Sequence, residues 1–497
     1  MVTISRAFST QGAVTIDAVA EALQPKYTLN AEPARAVSRT WIDTFDWRLH
    51  DAGISLRFVD DRPLTAQLPD GTQLQCPVAP KWPAMAENLP AGRLREVLSP
   101  IIEPRALIPV VAVQGTVQEC RVLNSDEKTV ARLLIEHSDN GVGWLQVLPL
   151  RGYDSDGERI AAGLSAVDGL TPAQSTSYDD ALAHAERKPQ GRAEQFTPET
   201  PAAVAVAAVL QRFAEAIADN VDGTIAAIDI EFLHDLRVAV RRTRSILKLV
   251  GDVLPDGLAE RFVPEFKWLG DLTTPVRDLD VYLHDFDGMA AGLTSADPAD
   301  LAPFQTFLRK HRTAERRILV RGLRSRRFER LMQDWQAELA RVAEETSSGR
   351  TVSDLAQERV GKVFRKVAKR GEAITAESPS DDVHSLRKRC KELRYLLEVF
   401  RPLHAEEPHR RLVKELKALQ DTLGDFQDGE VQREAVREFA AAMMDEGSAP
   451  PATVLAMGEL AAQLDAHQLR ARSALVGRLQ PFLAKENRDR VKALIRR

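Results

Sequence analysis

The chain has 497 residues, 44% hydrophobic and 28% charged, a balance that excludes a disordered or fibrous polypeptide and leaves room for two or three domains. Its net charge of −5 excludes a whole-molecule field that attracts polyanions, so anion binding has to come from local clustering. Cys76, Cys120 and Cys390 have no pair spacing, and neither a secretory leader nor a run of about 18 apolar residues occurs, which points to the cytoplasm and away from a disulfide scaffold or a membrane span.

Residues 1–170 alternate short β-prone runs with turns. Ile54 to Val59, Leu107 to Val113, Val130 to Ile135 and Trp144 to Leu148 are expected strands. Asp70-Gly71, Asn140-Gly141 and Asp156-Gly157 carry the chemistry of the turns between strands. An α+β domain rich in antiparallel sheet is expected. Residues 171–201 shift to Pro, Ser, Thr, Gln and scattered charge, the composition of a linker.

Beyond Pro201 the strand signals end. Segments rich in Ala, Leu, Arg and Glu follow with helical apolar spacing. They break at Pro255-Asp256-Gly257, Thr294 to Pro303, Thr346 to Arg350, Ser378-Pro379-Ser380 and Gly447 to Pro451. Residues 202–497 therefore read as an all-α domain of helix bundles.

This half repeats itself at an offset of 150 residues. His234 matches His384, Arg237 matches Arg387, Arg241 matches Lys391 and Arg244 matches Arg394. Without a gap, Lys267 matches Lys417, Asp271 matches Asp421 and Asp278 matches Asp428. The copies divide as 202–346 and 352–497.

The shared spacing His-x2-Arg-x3-(Arg/Lys)-x2-Arg puts its basic groups within about 80° of one helix face, along about 15 Å of axis. Leu236, Ile246, Leu247 and Val250 in the first copy, and Leu386, Leu393, Leu396, Leu397 and Phe400 in the second, fill the arc beside it. A merely solvated face would mix signs at i,i+4. The four stripe positions hold no acid in either copy, and a histidine opens both.

At these residues the chain resembles the CHAD family, the conserved-histidine α-helical domains. The likeness lies in Leu233 to Arg237 with Arg241 and Arg244, in Val383 to Tyr395, and in Leu416 to Asp421 with Leu423-Gly424-Asp425. It implies two pseudo-symmetric four-helix bundles and a basic surface that binds inorganic polyphosphate. Carried over residue by residue, it implicates His234, Arg237, Arg241, Arg244 and Lys267, with His384, Arg387, Lys391, Arg394 and Lys417. Thr273-Thr274-Pro275 departs from the second copy's Leu-Gly-Asp, so no binding role is expected for that loop.

The N-terminal part is similar to a CYTH domain, the fold of the triphosphate tunnel enzymes, through Ile42 to Leu49 and Ala52 to Arg57. The family's Glu-x-Glu-x-Lys is replaced by Thr3-Ile4-Ser5-Arg6-Ala7, and Val110 to Gln114 is apolar where a tunnel wall would carry Arg or Lys. Without the carboxylates that hold a hard divalent cation, phosphoryl transfer loses its metal, so a degenerate CYTH-like scaffold without its chemistry is expected.

No Walker A loop, HExxH pair or CxxC pair is present. His404 and His409 lack a third ligand, so no metal site is expected, nor any cofactor. Arg309, Arg312 and Arg316 share a helix face that could widen the basic surface. Glu315, Glu329 and Glu338 on the same expected helix weigh against that, and the terminal run Lys492 to Arg497 reads as a frayed solvated end. The expected function is non-catalytic polyphosphate binding, with an association with polyphosphate granules. An N-terminal triphosphatase or polyphosphatase is disfavoured by the lost motif. Nucleic acid is an unfavoured partner because Tyr395 is the sole aromatic near either stripe.

Overall fold

The computed structural model describes residues 6–12, 14–59, 63–77, 80–139, 141–183, 185, 196–344 and 349–494. The chain divides into two compact units, Met1–Arg192 and Ala193–Arg497.

The first unit is built on ten antiparallel strands: β1 (Ala7–Gln11), β2 (Thr28–Ala31), β3 (Arg35–Thr44), β4 (Ser55–Val59), β5 (Leu64–Gln67), β6 (Gln73–Cys76), β7 (Leu107–Leu123), β8 (Thr129–Ser138), β9 (Val142–Pro149) and β10 (Thr171–Pro172). Their order is β10-β1-β9-β8-β7-β3-β4-β5-β6, with β2 also on β7. Among the described residues, the helices α1 (Ile16–Leu23), α2 (Arg48–Asp51), α3 (Arg93–Ile102), α4 (Asp154–Leu164) and α5 (Ser177–Ala183) accompany them. All four expected strands are present. Asp156-Gly157 lies inside α4 instead of a turn, because Gly157 lets the helix approach Pro149, whose Cβ would stand 2.9 Å from an added Cβ.

The stretch expected as a linker also differs. Thr171 pairs with Ser9, and α5 lays Tyr178, Ala181 and Leu182 over Trp41 and Trp47. The Tyr178 ring stacks on Trp41 at 5.9 Å, and its hydroxyl donates to buried Asp43 at 3.2 Å. These large rings need an apolar cover, and α5 supplies it.

The second unit is helical: α6 (Ala202–Ala226), α7 (Ile230–Val250), α8 (Leu258–His284), α9 (Phe286–Ala291), α10 (Ala302–Leu323), α11 (Arg326–Glu344), α12 (Val352–Ala373), α13 (Ser380–Val399), α14 (Glu406–Asp445), α15 (Pro451–Leu483) and α16 (Lys485–Leu494). The duplication is visible in where helices begin: 202 and 352, 230 and 380, 258 and 406, 302 and 451. Thr273-Thr274-Pro275 is no loop; it lies within α8, as Leu423-Gly424-Asp425 lies within α14. The arginine-rich helix stops at Leu323, so Glu329 and Glu338 belong to α11 and only Glu315 accompanies Arg309, Arg312 and Arg316.

Positions equivalent in the two copies meet each other. Pro201 and Thr351 form a β-bridge, with the Ala202 amide donating to the Arg350 carbonyl at 2.9 Å and Val352 to Thr200 at 2.8 Å. The Tyr282 hydroxyl reaches the Gln432 carbonyl at 3.4 Å. Self-meeting of equivalent positions is what a twofold relation between copies produces. One apolar core, from Val206 and Leu236 through Trp335 to Leu386 and Leu423, runs through both copies. A second core gathers Tyr282, Phe286, Phe304, Val436, Met443 and Leu460. The Thr294-to-Ala296 loop beside it is held by the Glu459 carboxylate, which accepts their three backbone amides and is thereby pulled down to a pKa of about 2.

Candidate functional site

Helices α7 and α13 carry the two stripes. Asp229 caps α7 by accepting from the Glu231 and Phe232 amides. Buried Leu236, Val240 and Leu247 fix its inner side, as Leu386, Leu393 and Leu397 fix that of α13. With those sides committed to the core, the basic side chains are left at the surface or half-buried.

The two stripes converge. Lys391 is pushed down to a pKa of about 8 by burial first, then by the positive charges of Arg387 and Arg241. Arg241 belongs to the other copy, so the cationic fields of α7 and α13 overlap between the repeats. Arg237 is likewise pushed down to about 10 by burial, with Arg241 and Arg277 adding to the effect and Asp278 opposing it.

The stripe is not free of acid once folded. Residues of α8 and α14, some 40 positions further along the chain, line it. Arg387 meets Asp428 at 3.3 Å, and Lys267 meets Asp271 at 2.6 Å. Arg394 donates to Glu398 at 2.7 Å and to Gln420 at 3.3 Å. Arg237 donates to Thr273 at 3.1 Å and Thr274 at 2.8 Å, so the segment expected to be idle positions a stripe arginine. The Nδ1 of His384 is hydrogen-bonded to the Gln427 side chain. His234 sits half-buried at the matching position of α7. Among the described residues no carboxylate stands within ion-pair distance of Arg241, Arg244, Lys391 or Lys417. Arg244 passes 3.1 Å from where a Cβ on Gly270 would be.

The three weaker candidates divide. Arg312 pairs with buried Asp280, and Arg316 donates to the Ile225 carbonyl at 2.6 Å, so both hold helices together. Arg309 is exposed and lines an open cavity of about 490 Å³ with Arg312, Asp280, His284 and Ile230. His404 and His409 are packing residues. The first is pushed down to about 4 by burial and its neighbour, and the second bonds the Leu397 carbonyl at 2.9 Å. Among the described residues no group of three His, Cys, Asp or Glu is placed to hold a metal ion, and no helix is long and apolar enough to cross a membrane.

In the first unit, Thr3, Ile4 and Ser5 lie outside the described residues, and Ala7 opens β1. Sequence reasoning missed the ion pair of Arg39 with Glu136 at 2.5 Å, both nearly buried, with Arg57 close by. Asp43, within the CYTH-like stretch, accepts from the Thr44, Leu49 and His50 amides and so shapes a turn.

Similarity to known proteins falls on the helical half. The model of the CHAD domain matches residues 208–437. Uncharacterized protein Rv2226 of Mycobacterium tuberculosis (strain H37Rv) is 28% identical over 235 residues, 46% of this chain and 44% of that protein. Uncharacterized protein MT2285 of the Oshkosh strain matches with the same identity and coverage. The matched stretch thus spans less than half the length of these curated relatives. The crystal structure of the CHAD domain from the plant Ricinus communis aligns with a TM-score of 0.50 at 27% identity, covering 58% of this chain and 94% of that one.

Proposed function

Residues 208–437 of this chain are a CHAD domain, and from that premise we propose that the face shared by α7, α8, α13 and α14 binds inorganic polyphosphate without turning it over, and that the protein associates with polyphosphate granules. The observation that carries this reading is the overlap of the two stripes at Arg241 and Lys391. Like charges are held together there at a cost, and a polyanion relieves that cost by bridging them. A long anion with about one charge per phosphate suits such an extended face better than a small pocket. Arginine offers forked donors to its oxygens, and lysine a mobile charge.

Titration of medium-chain polyphosphate into the whole chain, and into each unit divided at Arg192/Ala193, tests the assignment. Unit 193–497 is expected to keep most of the affinity, and log K to fall linearly with log salt as counterions are released. Equal or tighter binding by unit 1–192 refutes it. In the same preparations, no phosphate release from tripolyphosphate or polyphosphate is expected with Mg²⁺ or Mn²⁺; turnover that survives stringent purification would overturn the non-catalytic reading. Single-stranded nucleic acid added in competition is expected to displace polyphosphate poorly.

Lys391 gives the binding a pH signature. A bound polyanion favours the ammonium, so its pKa rises in the complex from the free value of about 8. Its contribution is complete below about pH 8 and is lost as pH climbs through the bound-state value. Affinity measured from pH 7 to 9 is expected to decline severalfold in the native chain and to stay nearly flat in Lys391→Arg, because arginine keeps its charge over that range and Arg237, pushed down to about 10, titrates above it. The same decline in both proteins would remove Lys391 from the site.

A further inference from the structure

The two copies match at the stripes and differ sharply beside them. Positions 242 and 248 of the first copy are Arg and Lys; their equivalents, 392 and 398, are both Glu. Across the boundary between copies, Arg242 meets Glu398 at 2.9 Å and Lys248 meets Glu392 at 3.9 Å. These ion pairs are images of one another under the repeat, with the charges exchanged. Glu398 does more than join the copies. One of its carboxylate oxygens accepts from Arg394 of its own stripe at 2.7 Å, while the other accepts from Arg242 at 2.9 Å.

We propose that Glu398 is a built-in counter-anion that stands where a ligand phosphate would stand, between Arg242 and Arg394, and makes the duplicated face unequal: the first copy receives the anion, and the second yields its Arg394 only in competition with this carboxylate. The proposal rests on the polyphosphate reading above. Its physical basis is the contrast between equivalent residues. Arg394 is held by Glu398 and Gln420, whereas Arg244 has no carboxylate within ion-pair distance among the described residues and lies beside Gly270, where the second copy has Gln420. In the first copy the position of Glu398 is Lys248, 71% of whose side chain is exposed, which adds charge where the second copy subtracts it.

Calorimetric titration of the full chain with medium-chain polyphosphate at low salt tests this. Glu398→Gln keeps an acceptor for one arginine and deletes the charge. It is expected to bind about fivefold tighter, the effect of one unit charge at contact distance in water-like surroundings. The slope of log K against log salt should steepen by about 0.7, one further phosphate contact. Lys248→Glu places the same acid in the first copy and should weaken binding by a similar factor. Arg244→Gln should cost about tenfold against about twofold for Arg394→Gln, and this comparison does not depend on Glu398→Gln folding. Unchanged or weaker binding by folded Glu398→Gln, or equal losses at Arg244 and Arg394, would overturn the inference while leaving polyphosphate binding intact. A wild-type chain that fails to bind polyphosphate overturns both readings.

Discussion

Reversing Arg241 and Lys391 together, as Arg241→Glu with Lys391→Glu, is expected to lower polyphosphate affinity at least a hundredfold with little change in melting temperature. Each removed cation forfeits a phosphate contact, and each new carboxylate adds repulsion, so about 1.4 kcal/mol per site is a modest expectation; two sites then give the factor. Stability should hold or rise. Lys391 is pushed down by burial and by Arg241 and Arg387, so the native fold gains nothing from this crowding. Arg237 is the wrong residue for this experiment. Its guanidinium is bound by Thr273, Thr274 and the Gly270 carbonyl, and a glutamate there would meet Asp278 and unsettle α7 against α8. Binding by the 241/391 variant within threefold of wild type, with circular dichroism unchanged, would dismiss the composite face.

Trp335→Ala is expected to cost about 3–5 kcal/mol, a large share of the roughly 5–15 kcal/mol that holds a typical domain together. Trp335 is fully buried, with Phe262 and Phe266 rings at 4.7 and 5.3 Å, so its removal leaves a cavity walled by rigid aromatics. Trp335→Phe should cost much less, about 1–2 kcal/mol, because the indole Nε1 has no hydrogen-bond partner among the described residues and the smaller ring removes that unsatisfied donor. Chemical denaturation followed by circular dichroism separates the two. A Phe variant as unstable as the Ala variant would mean that ring volume outweighs the orphaned donor.

The helical half was largely legible because its information is local and said twice. Apolar spacing recurs at one offset, and helices begin at equivalent places, as at 202 and 352 or 230 and 380. The cationic stripes were legible for the same reason. The acids that line them were not. Asp278 and Asp428 could be seen to repeat, but nothing in one dimension says that α8 and α14 turn those carboxylates toward Arg237 and Arg387. Thr273-Thr274-Pro275 misled for a different reason. Pro275 reads as a breaker, yet the helix carries both it and Pro264, while the threonine hydroxyls bond the Leu269 and Gly270 carbonyls. Helix α5, within the stretch expected as a linker, was not legible because it is seven residues long and polar in composition. What fixes it is the need of Trp41 and Trp47 for cover, a demand raised more than a hundred residues earlier.

The division of apolar residues in the helical half into two cores sets how it comes apart. The face-bearing parts of α7 and α13 are rooted in the larger core, whereas Phe286, Phe304 and Met443 belong to the smaller one, and α8, α10, α14 and α15 run through both. The smaller core can therefore open as a separate cooperative unit, with hydrogen exchange rising first around α9 and the far ends of α14 and α15, while the basic face keeps its shape. The Glu459 clasp stays charged at every physiological pH, so acid does not release that opening. Denaturation monitored through α9 and through α7 would then trace different curves, and a single unfolding free energy would describe neither.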